Sequence, residues 1–351
     1  MKILTIGDVH LSTYSSILRS RGDKYSTRLE GIIKSLNWCM QLSKDTQSDL
    51  IVLLGDLLDT SSLNAEELTA LQDIKWRTDV PIYMLVGNHE MFSNNLKISS
   101  SHLFNLLPNF YIVDTPTYAP ISNSIHLDFI PYVCEDKRHK FQEYLSKSDN
   151  GSSIKRIVFS HNDLKGIQYG KVVSQKGFEL DSIRKTCDIF INGHIHNGGY
   201  LFKDTTKYLN LGNLTGQNFS EDASKYPHNV ALIDTDIMDV VFIENPYAFN
   251  FYKIEAETEK DLLNRLKGIK NNSVVTIKCP QFISNSVKDI IKNNPNIIES
   301  RIILDLKSTG VNEEDTQKLD SIDHIQQFKE FIKLKLGDNA IIDEELVEVC
   351  K

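Results

Sequence analysis

The sequence is poor in cysteine, and its few cysteines form no recognisable pair. Five occur among 351 residues, an odd number, and no two of them make a Cys-x-x-Cys motif. They stand far apart in the chain, at Cys39, Cys134, Cys187, Cys279 and Cys350. This distribution argues against a disulfide framework and favours a reducing compartment, so we expect a cytoplasmic protein.

Long apolar runs are also absent. No run approaches the roughly 18 residues that a membrane-spanning helix needs, so we expect no membrane partner. The chain begins MKILTIGDVH and reaches an acidic residue at Asp8, which is not the pattern of a signal peptide.

The sequence has no basic excess. Its 39 Lys and Arg residues face 47 Asp and Glu residues, giving a net charge of −8. This balance does not favour a free-standing nucleic-acid binder, although a local patch or a partner could still supply the positive field that a nuclease needs. With 40% hydrophobic and 25% charged residues, the composition is that of a globular chain long enough for two domains.

Short apolar runs recur through the first 245 residues and predict buried strands. They are Ile3–Ile6, Leu50–Leu54, Ile82–Val86, Ile125–Ile130, Ile157–Phe159, Ile189–Ile191, Val230–Ile233 and Val240–Ile243. Apolar residues recur at helical spacing over Thr27–Leu42 and Asn64–Trp76. Strands that alternate with helices indicate an α/β core. In the last part of this core, the stretch Lys207–Ile243 predicts consecutive strands joined by short turns.

A smaller α/β unit is predicted after about residue 250. Its expected strands are Phe251–Ala256, Val274–Lys278 and Arg301–Leu306, and its expected helices are Glu259–Lys267 and Val287–Lys292. The polar stretch Lys307–Thr316 is typical of a linker. An amphipathic helix follows and ends at Gly337, with its apolar stripe at Ile322, Ile325, Phe328, Ile332 and Leu336. We therefore expect a core over residues 1–248, a cap over 249–307, and a linker with a helical tail over 308–351.

Five times, an apolar run stops at residues of the types that bind metal ions. These groups are Asp8 and His10; Asp56 and Asp59; Asn88, His89 and Glu90; His161, Asn162 and Asp163; and His194 and His196. Ligands in α/β sheets bind at the carboxyl ends of the strands, so five strands could bring these side chains to one edge. Glycines at positions 7, 55, 87 and 193 precede four of the five groups and would allow sharp turns there.

Each group alone has an ordinary explanation. An Asp after a Gly at a strand end is most often a turn residue or a helix cap. A lone buried His is more often hydrogen-bonded in a core than bound to a metal. The joint occurrence of all five, each after an apolar run, favours a metal site.

The motifs GDVH, GDLLD, GNHE, the isolated His161 and GHIH resemble the five phosphoesterase motifs of the calcineurin-like metallophosphoesterases. Within that superfamily the chain resembles the SbcD-type DNA repair nucleases and their phage counterparts, the small subunit of the recombination endonuclease. GDVHL at the N-terminus, and GDLLD in place of GDxxDRG, fit these nucleases better than the protein phosphatases. The later stretch YLNLGNLTGQNFSED is similar to a strand and turn of the nucleases, but the Ser and the second Gly of that turn are not kept.

The resemblance implies a four-layered α/β sandwich of two β-sheets flanked by helices, with a small α/β cap and a C-terminal helical tail. It implies two divalent metal ions, one held by Asp8, His10, Asp56 and His196, and the other by Asp56, Asn88, His161 and His194. His89 is implied as the catalytic residue that contacts the phosphate. The set mixes imidazoles with oxygen donors and lacks thiolates, which suits Mn²⁺ better than Mg²⁺, with Fe and Zn as alternatives.

The implied function is Mn²⁺-dependent hydrolysis of DNA phosphodiesters, as a 3′→5′ exonuclease and single-strand endonuclease. The chain would be the catalytic subunit of an ATPase–nuclease complex for DNA end processing, repair and recombination. Its implied partners are DNA, a second nuclease subunit, and an ABC-type ATPase whose coiled coil binds the C-terminal tail, together forming a heterotetramer. The expected compartment is the cytoplasm of a bacterial or phage-infected cell.

Other interpretations stay open. The same fold could act on small phosphodiesters or phosphoproteins, although a cap and a tail argue against this. A scaffold with a decayed site is disfavoured because the ligand set is complete. The tail stripe could pack on the core instead of a partner, and Leu68 and Leu71 could serve a dimer interface or the core.

Three local features also have two interpretations each. Asp59 could orient a histidine ligand or cap a helix. The loop from Ser12 to Arg28 carries Arg19, Arg21, Lys24 and Arg28, and could bind phosphates or simply be solvated. A basic cluster in the cap, at Arg265, Lys267 and Lys270, has the same two interpretations.

Overall fold

The computed structural model describes residues 1–14, 24–146, 154–166, 168–169, 172–203 and 206–305. The predicted linker and tail helix, and the part of the basic loop that holds Arg19 and Arg21, lie outside these residues. None of the described helices is long and apolar enough to cross a membrane.

The described residues form nineteen strands. They are β1 Lys2–Ile6, β2 Leu50–Leu53, β3 Ile82–Leu85, β4 Met91–Phe92, β5 Asn95–Ser99, β6 Phe110–Val113, β7 Thr117–Ser122, β8 Ile125–Ile130, β9 Lys155–Ser160, β10 Gln168–Tyr169, β11 Val172–Val173, β12 Ile189–Asn192, β13 Gly199–Lys203, β14 Lys207–Asn210, β15 Asn229–Asp234, β16 Asp239–Glu244, β17 Asn250–Glu255, β18 Ser273–Pro280 and β19 Ile297–Asp305. All eight apolar runs predicted as strands in the first 245 residues are strands.

Six α-helices are described, together with short 3₁₀ segments at Ser100–Leu106, Glu135–Lys140 and Gln281–Ile283. The α-helices are α1 Thr27–Asp45, α2 Ala65–Gln72, α3 Phe141–Ser146, α4 Leu180–Thr186, α5 Glu259–Leu266 and α6 Ser284–Lys292. Helix α1 starts where the Ser26 side chain accepts a hydrogen bond from the Leu29 amide. In α2, Asn64 and Glu67 form a reciprocal capping box.

Two sequence predictions about these elements are wrong. The helix expected to reach Trp76 ends at Gln72; beyond its end Ile74 is still buried, and the Trp76 ring packs edge-on against Phe104. The strand series expected over Lys207–Ile243 is interrupted after Asn210, and residues 211–228 contain no strand. That segment instead crosses the edge of the sheet beside Asp8, where Asn213 forms an isolated bridge with it.

Two six-stranded sheets make up the larger unit. The first has the order β16-β15-β1-β2-β3-β6, in which β1, β2, β3 and β6 are parallel. The second has the order β13-β14-β12-β9-β8-β7, in which β14, β12, β9 and β8 are parallel. Antiparallel strands close both edges of each sheet except at β6.

The alternation of side chains along the strands produces four layers. Along β1, Ile3 faces the second sheet, where it joins a buried cluster with Phe129 and Ile191, whereas Leu4 packs with Leu29 of α1. On the far side of the second sheet, strand residues pack against helices α3 and α4; this third cluster includes Val158, Phe190, Phe141, Leu145 and Ile183. The predicted sandwich of two sheets between helical layers is therefore confirmed.

Residues 250–305 form the smaller α/β arrangement expected there. Strands β17, β18 and β19 make a parallel three-stranded sheet, and α5 and α6 connect them. Its own buried cluster includes Leu262, Val275, Ile277 and Val287. Whether the chain divides into units at residues 248 and 307 stays a prediction.

Candidate metal centre

All seven predicted metal ligands lie together at one edge of the sandwich. Strands β1, β2 and β3 of the first sheet lead into Asp8 and His10, Asp56, and Asn88. Strands β9 and β12 of the second sheet lead into His161, and His194 and His196. Because these strands are parallel within each sheet, their carboxyl ends deliver side chains from both sheets to a common place.

The first cluster consists of Asp8, His10 and His196, each of which offers a ligand atom within 4.8 Å of the other two. Asp8 is fully buried, and its carboxylate accepts a hydrogen bond from the His194 amide at 2.9 Å. The His10 ring lies 5.0 Å from that of His196, between ring centroids. Burial lowers the pKa of His196 to about 4, so the imidazole is neutral at pH 7 and has a lone pair available for a metal.

The second cluster consists of Asp56, His161 and His194, with the same mutual separation of at most 4.8 Å. His161 donates from Nδ1 to the Leu54 carbonyl at 2.8 Å, which points Nε2 towards Asp56 and Asn88. Asn88 Oδ1 lies 3.2 Å from His161 Nε2 and 2.9 Å from His194 Nδ1. Asn88 thus lies beside the two histidines with which the family resemblance groups it.

Asp56 stands between the two clusters. Its Oδ2 lies 3.1 Å from His161 Nε2 and 3.9 Å from His10 Nε2. Burial alone would raise the pKa of Asp56, but the neighbouring imidazoles, His161 foremost, outweigh it and hold that pKa well below its usual range. A carboxylate placed in this way is suited to bridge two cations.

The backbone at the site is conformationally unusual. His10, Asp56 and His194 have positive φ values of 50°, 48° and 68°, a region that non-glycine residues rarely adopt. A Cβ on Gly87 would lie 2.1 Å from Asp56 Oδ1, so only glycine allows this approach. Such strain persists only where the surrounding structure imposes it, and it is concentrated at functional sites.

His89 is the predicted catalytic residue, and it lies at the surface of this arrangement. Its side chain is 41% exposed, whereas His10 is buried, and their ring centroids are 4.6 Å apart. The His89 amide donates to Asp56 Oδ1 at 3.0 Å. The hydrogen bond with Asp59, together with the charge of Asp56, raises the pKa of His89 to about 9 despite partial burial. At neutral pH His89 is therefore a cation that can donate a proton.

Asp59 contacts both of these histidines. Its Oδ1 lies 2.8 Å from His10 Nδ1 and 3.4 Å from His89 Nδ1. The cap of the next helix is Asn64, so the helix-cap interpretation of Asp59 is wrong and the orienting interpretation is supported.

Asp163 plays the corresponding part at the second cluster. Its Oδ1 lies 3.2 Å from His194 Nε2, and its Oδ2 accepts from Arg138 Nη2 at 2.6 Å. The same Arg138 nitrogen donates to the Tyr132 hydroxyl at 2.8 Å, and the Tyr132 ring lies 5.7 Å from that of His194. The sequence shows Asp163 next to a motif, but nothing in it points to Arg138 or Tyr132, which come from a different loop.

Glu90 supports the loops rather than the metal-type ligands. Its buried carboxylate accepts from the backbone amides of Gly87, Asp56 and Leu58, at 2.7, 3.2 and 3.2 Å. It thereby ties the end of β2 to the end of β3. Burial raises the pKa of Glu90 to about 7.

The residues present fit a pair of divalent cations. His10 Nε2 is buried and has no hydrogen-bond partner among the described residues, a costly arrangement that a metal would relieve. The two clusters share the neighbourhood of Asp56, and their donors are imidazole and oxygen atoms. The metal-ligand roles of all seven residues, and the catalytic role of His89, stay predictions.

The described end of the basic loop is not simply solvated. Lys24 is exposed and paired with Asp73 at 2.7 Å, as a solvated residue would be. Arg28, in contrast, is only 3% exposed, and its Nη1 donates to the Gly216 carbonyl at 2.8 Å.

Comparisons with known proteins agree with this site. The model of the family described as calcineurin-like phosphoesterase matches residues 1–198, which include all five motifs. The chain is 29% identical over 208 residues to "Putative phosphoesterase 244L" of Invertebrate iridescent virus 6, covering 56% of this chain and 64% of that protein. It is 29% identical over 157 residues to "Putative phosphoesterase 078R" of Invertebrate iridescent virus 3, covering 42% of this chain and 43% of that protein. The chain thus spans less than two thirds of the length of each of these relatives.

Among solved structures, a dimetal phosphatase from Danio rerio is similar with a TM-score of 0.44 and 14% identity, over 70% of this chain and 98% of that one. The family model, however, covers more than half of the 351 residues, and the five motifs within it form the two clusters described above. The chain therefore belongs to the calcineurin-like phosphoesterase family.

Proposed function

We propose that the chain is a metal-dependent phosphodiester hydrolase that acts on DNA. The observation that carries this proposal is the meeting of two ligand clusters at Asp56, with the half-exposed imidazole of His89 beside them. Buried metal-type ligands beside an exposed, protonated group suit a hydrolase of anionic esters, because metal ions can neutralise the phosphate charge and the acid can protonate an oxygen.

The first metal would be held by Asp8, His10, Asp56 and His196, and the second by Asp56, Asn88, His161 and His194. Such ions, when bound, neutralise charge on phosphate oxygens and lower the pKa of water. The mixture of imidazole and oxygen donors supports Mn²⁺ as the metal.

His89 would donate a proton or a hydrogen bond at an oxygen of the phosphate or of the leaving group. Its exposed position gives a substrate access, and its raised pKa keeps Nε2 protonated at neutral pH. Asp59 is a positioning residue here, because it contacts the other ring nitrogen of His89 and holds the ring in place.

The resemblance of the motifs to the SbcD-type nucleases supports DNA as the substrate. It also supports the 3′→5′ exonuclease and single-strand endonuclease activities, and a cytoplasmic complex with an ATPase. A small-ester phosphodiesterase of the same fold is the competing function. A nuclease and a small-ester phosphodiesterase would use the same two clusters, so the two functions are distinguished by which substrate the enzyme hydrolyses.

A nuclease assay on the purified chain tests the proposal. We expect cleavage of single- and double-stranded DNA with Mn²⁺, and a loss of at least about a hundredfold in His89→Ala, since a positioned acid contributes 10²–10⁴-fold. His102→Ala is the matched control, because His102 pairs with Asp114 outside the site. Efficient hydrolysis of bis(p-nitrophenyl) phosphate with DNA left intact would favour the small-ester enzyme.

The ATPase partner is tested separately. We expect the full chain, but not a version that lacks residues 312–351, to capture a coiled-coil ABC-type ATPase in a pulldown. Equal capture by both versions would contradict the proposed role of the tail, and no capture by either would contradict the complex.

A further inference from the structure

A cavity of about 330 Å³ opens beside the first cluster. His10 and Asp59 line it, together with Tyr14, Arg28 and Gln217. The cavity is therefore continuous with the site at His10 and draws its other walls from the segment after β1, the start of α1 and the segment that follows β14. Its volume is at the lower end of the range for small-molecule subsites.

Arg28 brings to this cavity a cation that has no ion-pair partner among the described residues. The residue is only 3% exposed. Among the described residues, its guanidinium nevertheless makes a single hydrogen bond, from Nη1 to the Gly216 carbonyl. No carboxylate of the described residues lies within ion-pair distance of it, although Glu221 and Asp59 are near enough to act on its charge. A buried guanidinium without an ion pair is costly and has donors left over for an anion.

Gln217 adds a second donor. Its Nε2 is buried and has no hydrogen-bond partner among the described residues. Its backbone amide donates to the Glu221 carboxylate at 3.1 Å, which fixes the position of the residue. Arg28 and Gln217 line the same cavity, and a guanidinium and an amide that lack acceptors among the described residues both call for an oxygen-rich ligand.

The two acidic groups nearby each have at least one oxygen engaged elsewhere. Asp59 also lines the cavity, but its Oδ1 is shared between His10 and His89. Glu221 accepts from the Gln217 amide and from Asn213 Nδ2, and burial raises its pKa to about 7, so part of its population is neutral near that pH. Among the described residues, neither group accepts a hydrogen bond from the Arg28 guanidinium or from Gln217 Nε2.

We propose that this cavity binds a second phosphate of the substrate, one nucleotide away from the phosphate that is cleaved, through Arg28 and Gln217. This inference rests on the proposed phosphodiesterase function and narrows its substrate class to a nucleotide chain with at least two phosphates. Tyr14, 77% exposed at the same cavity, offers a ring face to the adjoining base.

Three dinucleotides test the subsite: thymidylyl-thymidine without a terminal phosphate, and the same molecule with a 5′- or a 3′-terminal phosphate. We expect the wild type with Mn²⁺ to favour one of the phosphorylated forms by at least about tenfold in kcat/KM, as one charge-assisted hydrogen bond provides 10–100-fold. In Arg28→Met that preference falls about tenfold, and in Gln217→Glu it falls further or reverses, because a carboxylate then faces the phosphate. Since the measured quantity is a ratio within one variant, a general loss of activity does not imitate the result.

The matched control is Arg265→Met, which removes an equal charge from an exposed helix of the cap and should leave the ratio unchanged. Should Arg28→Met fail to fold in a thermal melt, Gln217→Met and Gln217→Glu carry the test. A wild type that hydrolyses all three dinucleotides equally, or an Arg28→Met protein that keeps the preference, overturns the subsite while the phosphodiesterase stands. If the wild type hydrolyses neither the dinucleotides nor DNA, both the subsite and the proposed phosphodiesterase function are overturned.

Discussion

The two clusters of candidate ligands are built alike but have different surroundings. In each, a carboxylate contacts the outer nitrogen of a histidine: Asp59 with His10 at 2.8 Å, and Asp163 with His194 at 3.2 Å. Both clusters consist of two buried residues and one partly buried histidine. The first cluster adjoins the exposed His89 and the cavity of Arg28. We therefore expect the substrate to meet the centre at the first cluster, where His89 and this cavity lie.

The largest expected effect comes from the residue that both clusters use. Asp56→Asn keeps the size of the side chain and removes its charge. We expect kcat/KM for DNA to fall by about a thousandfold, because the charge stabilisation at a metal centre amounts to several kcal/mol, and each 1.36 kcal/mol is tenfold in rate. A loss below tenfold would contradict the shared role of Asp56.

The two orienting carboxylates test the asymmetry directly. We expect Asp59→Asn and Asp163→Asn each to lower activity or metal affinity by about 10–100-fold, as is usual for partners of metal-binding histidines. Asp59→Asn should lose more activity, because Asp59 also contacts His89. Asp114→Asn serves as the control, since it pairs with His102 away from the site. A larger loss in Asp163→Asn would reverse the assignment of the substrate-facing side.

A smaller effect concerns stability and pH. His228 donates from Nδ1 to the carbonyl of Asn213, the residue that bridges to Asp8 behind the first cluster. Burial lowers the pKa of His228 to about 4, from 6.5 in the unfolded chain. The unfolded state therefore binds more protons between these values, so this contribution is complete above about pH 6.5 and is lost as the pH falls towards 4.

The lost free energy of unfolding should be about 3 kcal/mol at most, at 1.36 kcal/mol per pKa unit. His228→Gln keeps a donor for the Asn213 carbonyl and removes the titration. Urea unfolding at several pH values should therefore show a smaller loss of unfolding free energy between pH 6.5 and 4 in His228→Gln than in the wild type. The exposed control His139→Gln should show the same loss as the wild type. An identical loss in His228→Gln and the wild type would contradict the role of His228 in this pH dependence.

The sequence predicts the core and the site because both are local in the chain. Each strand end carries its own ligands, so Asp8 and His10, or His194 and His196, stand together before any folding is considered. The parallel order of the strands then brings the groups to one edge. The alternation of Ile3 and Leu4 between two clusters is equally readable, since side chains alternate along a strand.

The remaining features depend on contacts between distant parts of the chain. Arg138 reaches Asp163 from another loop, and Arg28 reaches Gly216 across 188 positions of sequence. Ile74 and Trp76 continue the helical spacing of apolar residues but lie beyond the end of the helix. A buried loop can show the same pattern of apolar residues, so the spacing does not fix where the helix ends. Of the two leucines considered for a dimer interface, Leu71 is buried in the core and Leu68 is 41% exposed, which spacing alone does not distinguish.

The central claim is that two metal ions bind at clusters that share Asp56. Equilibrium dialysis against Mn²⁺ measures it most directly, with the wild type, His10→Ala and His161→Ala compared after thermal melts show that each is folded. We expect two ions per chain in the wild type and one in each variant. A single ion or none in the wild type at saturation, or two ions in both variants, would contradict the account.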